Sequence, residues 1–305
     1  MEKPMSSVEI SGVFAALLTP RNGEGSIDVP ALRKLAQFLI KSGISSFAVN
    51  GATGEFCLTS PGQLRTVLST VRAGGEGNAR ILCGVGGAGA AQSIELARVA
   101  ESEEVEGLLL PMPYFYPYAQ EDLDLFCRTV AGATRLPVML YNLPQFTSGL
   151  DKETVRRLIA EVPNIVGIKD SSGSLEILRY LTQQGVHGCR IVGADAVLAP
   201  ALREGICDGV VSGIAGVVPE AILALYARRH RIESEGFASA ARRIEEFVEH
   251  MSVFPSPWGL KWVAEARGIL QATLSLPVTQ HRLEQRQQLV AWFATWTEKG
   301  LPPAG

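Results

Sequence analysis

The chain repeats one local pattern eight times between Val13 and about His230: a short apolar run, then a longer segment whose apolar residues recur at helical spacing. The apolar runs cover 13–18, 46–49, 80–83, 107–110, 137–140, 165–169, 190–192 and 209–212. Segments such as 29–41, 61–72, 91–101, 121–131, 152–160 and 174–183 lie between them. Leu35, Phe38 and Leu39, and then Leu64, Val67, Leu68 and Val71, each mark one buried helix face. Asp28, Ser60 and Asp151 stand where helices are capped, and Pro30, Pro61 and Pro219 where they start. Strands buried on both faces and alternating with helices pair in parallel through right-handed crossovers. Eight such units in about 220 residues predict an α/β fold, a closed (β/α)8 TIM barrel. An open dinucleotide-binding sheet would need Gly-x-Gly-x-x-Gly after its first strand, but Thr19-Pro20-Arg21-Asn22 stands there. Beyond the eighth unit, 237–253, 258–271 and 280–296 read as three more helices with no linker-like composition before them. The expected organisation is a catalytic barrel over 12–232, with a C-terminal helical extension over 233–305 packed on it.

Composition narrows the function classes. With 305 residues, 47% apolar and 19% charged, and a mean hydropathy of +0.16, the chain has material for a large soluble core. A net charge of −3 and a pI near 5.9 give no attraction toward nucleic acid or an anionic membrane surface. No apolar run reaches the roughly 18 residues of a membrane span, and residues 1–10 lack the apolar stretch of a signal peptide. The expected location is cytoplasmic, with Cys57, Cys83, Cys127, Cys189 and Cys207 reduced. The four histidines show no metal-ligand spacing, so no metal is expected.

Catalytic groups of a (β/α)8 barrel sit at the C-terminal ends of the strands. The sixth run ends on Lys169. An amine there is partly desolvated, which disfavours its charged form, and a neutral amine attacks carbonyl carbon. For a lone lysine, snorkelling or ion pairing is the plainer account. The fifth run leads into Tyr141-Asn142-Leu143-Pro144, where the hydroxyl can move protons or the ring can simply pack at the rim. Neighbouring strands bring Tyr141 and Lys169 to one mouth. The second run leads into Asn50-Gly51-Ala52-Thr53-Gly54-Glu55, whose amides and Thr53 hydroxyl suit a carboxylate. The alternative is a plain glycine turn with Glu55 entering the next helix. After the seventh and eighth runs, Gly193-Ala194-Asp195 and Ser212-Gly213 are small, polar loops that leave room for a substrate. Asp195 suits a helix N-cap equally well. Lysine, tyrosine and carboxylate loop together suit imine chemistry on a 2-oxo acid. The protonated imine is then the electron sink, and no cofactor is needed.

These motifs resemble a known family. Gly51-Ala52-Thr53-Gly54-Glu55, Tyr141-Asn142-Leu143-Pro144 and Gly167-Ile168-Lys169-Asp170 are similar to three signatures of the dihydrodipicolinate synthase/N-acetylneuraminate lyase family, in its order and spacing. The resemblance runs over about 12–276 and takes in Thr19-Pro20, Pro111-Met112-Pro113-Tyr114, Gly193-Ala194-Asp195 and Pro257-Trp258-Gly259-Leu260-Lys261-Trp262. It implies a barrel with a helical C-terminal region, a homotetramer or homodimer, Lys169 as Schiff-base lysine and Tyr141 as its partner. Departures from the pattern bear on the substrate. The synthases carry a second hydroxyl residue where this chain has Ala52. They take an aromatic hydroxyl from a neighbouring subunit where this chain has Phe115, between Tyr114 and Tyr116. They bind the amino-aldehyde carboxylate through an arginine where this chain has Phe146, and a phenyl ring cannot replace a guanidinium. Sialic-acid lyases have Asp-Glu and Ser where this chain has Asp195-Ala196 and Gly213. The string Lys169-Asp170-Ser171-Ser172-Gly173 is more similar to 2-keto-3-deoxy sugar-acid aldolases. The resemblance therefore implies a class I aldolase/lyase acting on a 2-keto-3-deoxy acid, with pyruvate as donor or product. A small 2-oxo acid and an aldehyde are its partners. Gly51, Ala52, Thr53, Gly54, Tyr114, Phe146, Gly193, Asp195, Ser212 and Gly213 are its substrate-binding residues. The alternatives are dihydrodipicolinate synthase itself, joining pyruvate to aspartate semialdehyde, and a catalytically degenerate 2-oxo-acid-binding paralogue.

Overall fold

Each of the eight apolar runs forms a strand. In the computed structural model, which describes residues 10–75 and 77–300, the strands are β1 (Gly12–Ala16), β2 (Ser46–Val49), β3 (Arg80–Gly84), β4 (Gly107–Pro111), β5 (Val138–Asn142), β6 (Ile165–Asp170), β7 (Cys189–Val192) and β8 (Gly209–Ser212). They follow chain order around a closed barrel, the (β/α)8 fold expected from the alternation. The helices of the repeat are α1 (Val29–Lys41), α2 (Pro61–Gly74), α3 (Ala90–Ser102), α4 (Gln120–Ala131), α5 (Lys152–Glu161), α6 (Glu176–Gln183), α7 (Leu198–Glu204) and α8 (Pro219–Ala227). The tail forms α9 (Glu235–Met251), α10 (Trp258–Ala266) and α11 (Gln280–Glu298).

The helix starts are set by the expected caps. Asp28 Oδ1 accepts from Ala31 N at 3.0 Å, and Asp151 Oδ1 accepts from Thr154 N at 2.7 Å. Ser60 and Gln63 form a reciprocal capping box at the head of α2. Boundaries differ from expectation in two instructive places. β5 and β6 run on to Asn142 and Asp170, past 140 and 169, because these two polar side chains bond each other inside the ladder. α10 stops at Ala266, short of 271, where Gly268 (φ 66°) turns the chain. Ile269 and Leu270 beyond it are buried from a loop, which imitates helical spacing in the sequence.

Two compact units make up the described chain. The first holds residues 10–12 and 82–211. Its strands are apolar on both faces: Leu108, Leu109, Leu110, Met139, Leu140 and Ile168 are fully buried. The second holds 13–81 and 212–300, the tail included. There, Arg267 donates to Val217 O at 2.7 Å and pairs with Glu220 of α8 at 2.8 Å. Phe247 of α9 packs against Trp292, Phe293 and Trp296 of α11. All five cysteines are free thiols. No helix among the described residues is long and apolar enough to cross a membrane.

Candidate active site

Lys169 is next to last in β6 and only 4% exposed. Tyr141 is next to last in β5 and stands opposite it in the parallel register, so both side chains leave the sheet on one face. The amine lies over the tyrosine ring, Nζ 3.6 Å from the ring centre. No carboxylate pairs with this amine among the described residues. The plainer account of an ion-paired lysine therefore fails. Gly193, just after β7, leaves space for the lysine stem: a β-carbon there would lie 2.9 Å from Lys169 Cε and 2.0 Å from Ser171 Oγ.

Asn142 and Asp170 occupy the next register position, on the opposite face. Asp170 Oδ1 accepts from Asn142 Nδ2 at 3.1 Å and from Ser172 N at 2.9 Å, while Asn142 Oδ1 accepts from Leu150 N at 3.0 Å. This clasp ties the ends of β5 and β6 together behind the Tyr141–Lys169 pair. The sequence reading missed it. Two polar residues directly after the two chemical ones were its only visible trace. Ser171 was missed too; its hydroxyl is buried, without a hydrogen-bond partner among the described residues.

Asp170 Oδ2 is buried with no partner among the described residues, and desolvation raises the carboxyl above its ordinary value against the pull of Ser172 and Asn142. A raised pKa in the folded state means that the native protein holds a proton the unfolded chain has lost. Stability then falls as pH rises from the ordinary aspartate range through the raised value. Asp170→Asn keeps both accepted bonds and removes the charge. It should stabilise the protein by about 1 kcal/mol at pH 7, with the gain vanishing in acid. Thermal unfolding of both proteins across a pH series measures this; a gain that persists at low pH would contradict the assignment.

In the second unit the β2 loop runs from Asn50 to Glu55, both with left-handed φ (56° and 54°). Gly54 N bonds Gly51 O at 3.0 Å, Glu55 N bonds Ala52 O at 3.0 Å and Phe56 N bonds Gly51 O at 3.2 Å. The Gly54 amide is thus engaged within the turn, whereas those of Ala52 and Thr53 have no acceptor among the described residues. Glu55 does not simply lead into a helix. It is 7% exposed and pairs with Lys261 of α10. Ser212 is buried, its Oγ accepting from Ala215 N at 2.9 Å, and Gly213 opens the turn that follows.

The remaining candidates sit at the surface or in turns. Tyr114 is half-buried and bridges to Thr147, next to Phe146, which is 57% exposed. Phe115 is 82% exposed at φ 87°. Asp195 begins a short 3-10 turn, and Val197, not Asp195, holds the cap position of α7. The capping role considered for Asp195 is therefore not the one it has.

The profile of the Dihydrodipicolinate synthetase family matches residues 9–295. The chain belongs to this family. It is a lyase of the class I, Schiff-base type. The 4-hydroxy-tetrahydrodipicolinate synthase of Cellvibrio japonicus is 32% identical over 286 residues, covering 92% of this chain and 97% of the relative. The enzyme of the same description from Leptothrix cholodnii is 33% identical over 274 residues, covering 88% and 92%. The crystal structure of the chloride-inhibited dihydrodipicolinate synthase of Acinetobacter baumannii, complexed with pyruvate, superposes with a TM-score of 0.86 at 26% identity, covering 95% of this chain and 98% of that one.

Proposed function

We propose that this member of the Dihydrodipicolinate synthetase family is an aldolase of 2-keto-3-deoxy acids, with pyruvate as product or donor. The buried, carboxylate-free amine of Lys169 over the Tyr141 ring carries the reading. The amine adds to the C2 carbonyl, and the carbinolamine loses water to give the iminium. Tyr141 delivers the proton to that leaving hydroxyl and then takes the proton of the C4 hydroxyl. As it does so, the C3–C4 electron pair moves into the iminium, the aldehyde departs and an enamine remains. Protonation at C3 and hydrolysis release pyruvate and restore the amine. The imine is the electron sink, so the chemistry requires neither metal nor organic cofactor.

The substrate carboxylate is held by the amides of Ala52 and Thr53 and by the Thr53 hydroxyl, with Gly51 and Gly54 making the turn. Gly193, Asp195, Ser212 and Gly213 line the substrate, and Tyr114 and Phe146 face its aldehyde end. The catalytic region is the barrel over 12–232, with a helical extension from 233 to 300 (residues 301–305 lie outside those described), and the enzyme works as a cytoplasmic homotetramer or homodimer. Borohydride reduction with pyruvate, followed by peptide mass mapping, tests the core of this reading: the adduct should lie on Lys169, and an unmodified enzyme would remove it. Tyr141→Phe should lower kcat by about 10²–10⁴-fold while an adduct on Lys169 still forms, more slowly. An unchanged kcat would take the proton transfers away from Tyr141.

The relatives' description favours a second reading, condensation of pyruvate with aspartate semialdehyde. Against it stand Ala52, which has no hydroxyl, and Phe146, which has no guanidinium for a second carboxylate. Values of kcat/KM on a panel of 2-keto-3-deoxy acids and on the semialdehyde separate the two. Greater efficiency on the semialdehyde would reverse the assignment.

A further inference from the structure

The β2 loop ends on two features that stability alone does not explain. Glu55 is not a glycine, yet it holds φ 54° and ψ 51°, a conformation that crowds a β-carbon. Its carboxylate is also buried in an ion pair, Oε2 2.5 Å from Lys261 Nζ, with side chains 8% and 4% exposed. Lys261 lies 206 residues away on α10, and its Nζ gives a second bond to Thr273 O at 2.8 Å. An apolar pair of similar volume commonly stabilises such a site as well or better. The strained turn and the buried charges coincide at the residue that closes the Ala52–Thr53 loop. Glu55 N also bonds Ala52 O, so the direction of Glu55 is passed straight to the loop backbone.

We propose that Glu55 and Lys261 are positioning residues. Through them α10 of the tail holds Glu55 in its left-handed turn and so aims the amides of Ala52 and Thr53 at the carboxylate of the 2-oxo acid. This rests on the proposed role of Lys169 and of the β2 loop. It gives the tail a part in substrate affinity and none in the imine chemistry itself. An isosteric pair without charge should then restore folding without restoring affinity.

The experiment uses the full chain and pyruvate. Borohydride trapping, read by mass spectrometry across a pyruvate series, reports both the half-saturating concentration and the plateau of Lys169 modification. Glu55→Gln and Lys261→Met, each alone, should lower the unfolding midpoint sharply because each strands a buried polar partner. Glu55→Met with Lys261→Met, an apolar pair of similar volume, should recover most of the midpoint. In that double variant the half-saturating pyruvate concentration should stay about tenfold or more above wild type, while the plateau is unchanged. If it does not fold, Glu55→Gly with Lys261→Met removes the backbone strain as well and carries the same expectation. A folded double variant with wild-type half-saturation would make the pair merely structural and overturn the proposal. Thr53→Val, which alters the loop alone, should raise half-saturation on its own. A rise there without one in the pair variants would sink the positioning role and leave the loop's role standing. A wild-type enzyme that gives no adduct would instead sink the underlying reading of Lys169.

Discussion

Lys169→Ala will give a folded protein that forms no borohydride-stable adduct with pyruvate, and its turnover will fall by on the order of 10⁴-fold or more, the scale of nucleophile removal in other enzymes. The reason is that no second buried amine among the described residues can take over. Among the described residues the other buried lysine is Lys261, and it is held by Glu55 Oε2 and by Thr273 O. An ammonium fixed in this way has no lone pair to offer a carbonyl. The amine of Lys169 lies over the face of Tyr141 and has no carboxylate partner among the described residues, so its nitrogen can turn toward a carbonyl carbon without breaking an ion pair. Intact-mass analysis after reduction, with circular dichroism to verify folding, checks the expectation. An adduct of full size in the variant would transfer the imine to another residue and end the present reading.

Gly167→Ala will lower stability by about 3 kcal/mol or more, the upper range for forcing extra volume into a packed interior. Gly167 of β6 stands opposite Cys189 of β7 in register. A β-carbon on it would lie 2.1 Å from Cys189 O and 2.6 Å from Cys189 N. The obstruction is backbone, so no side-chain rotation relieves it and the strands must part. Gly167 and Lys169 share a face of β6, two residues apart, so activity should fall with stability. Urea unfolding gives the free energy directly. A loss under about 0.5 kcal/mol, the range of ordinary surface substitutions, would mean that β6 and β7 do not approach this closely.

The placement of Lys169 and Tyr141 was legible because its signals are local. Lys169 and Tyr141 announce themselves as reactive groups closing apolar runs, and parallel pairing of consecutive strands then makes them neighbours. Tyr141 and Lys169 do stand opposite each other in the ladder. The β2 loop was legible only in part. Its composition suggests a row of free amides, yet the turn engages that of Gly54, which no residue pattern reveals. The strand ends were read short for a related reason. A polar residue after an apolar run looks like a boundary, and Asn142 and Asp170 escape that rule because each satisfies the other. The end of α10 was read long because two buried loop residues, Ile269 and Leu270, continue the helical spacing.

Apolar periodicity, caps and breakers act over a few residues, so the sequence by itself determined the number and order of the strand–helix units and which reactive groups sit at their ends. Partners for buried charges are chosen by elements that meet only when the chain is folded. Tertiary structure alone decided that Glu55 answers Lys261 across 206 residues, that Asp170 leans on Asn142, and that the amine of Lys169 has a ring for company and, among the described residues, no carboxylate. The physical reason is that the groups able to compensate a buried polar side chain are those near it in space, and distance along the chain says little about what is near.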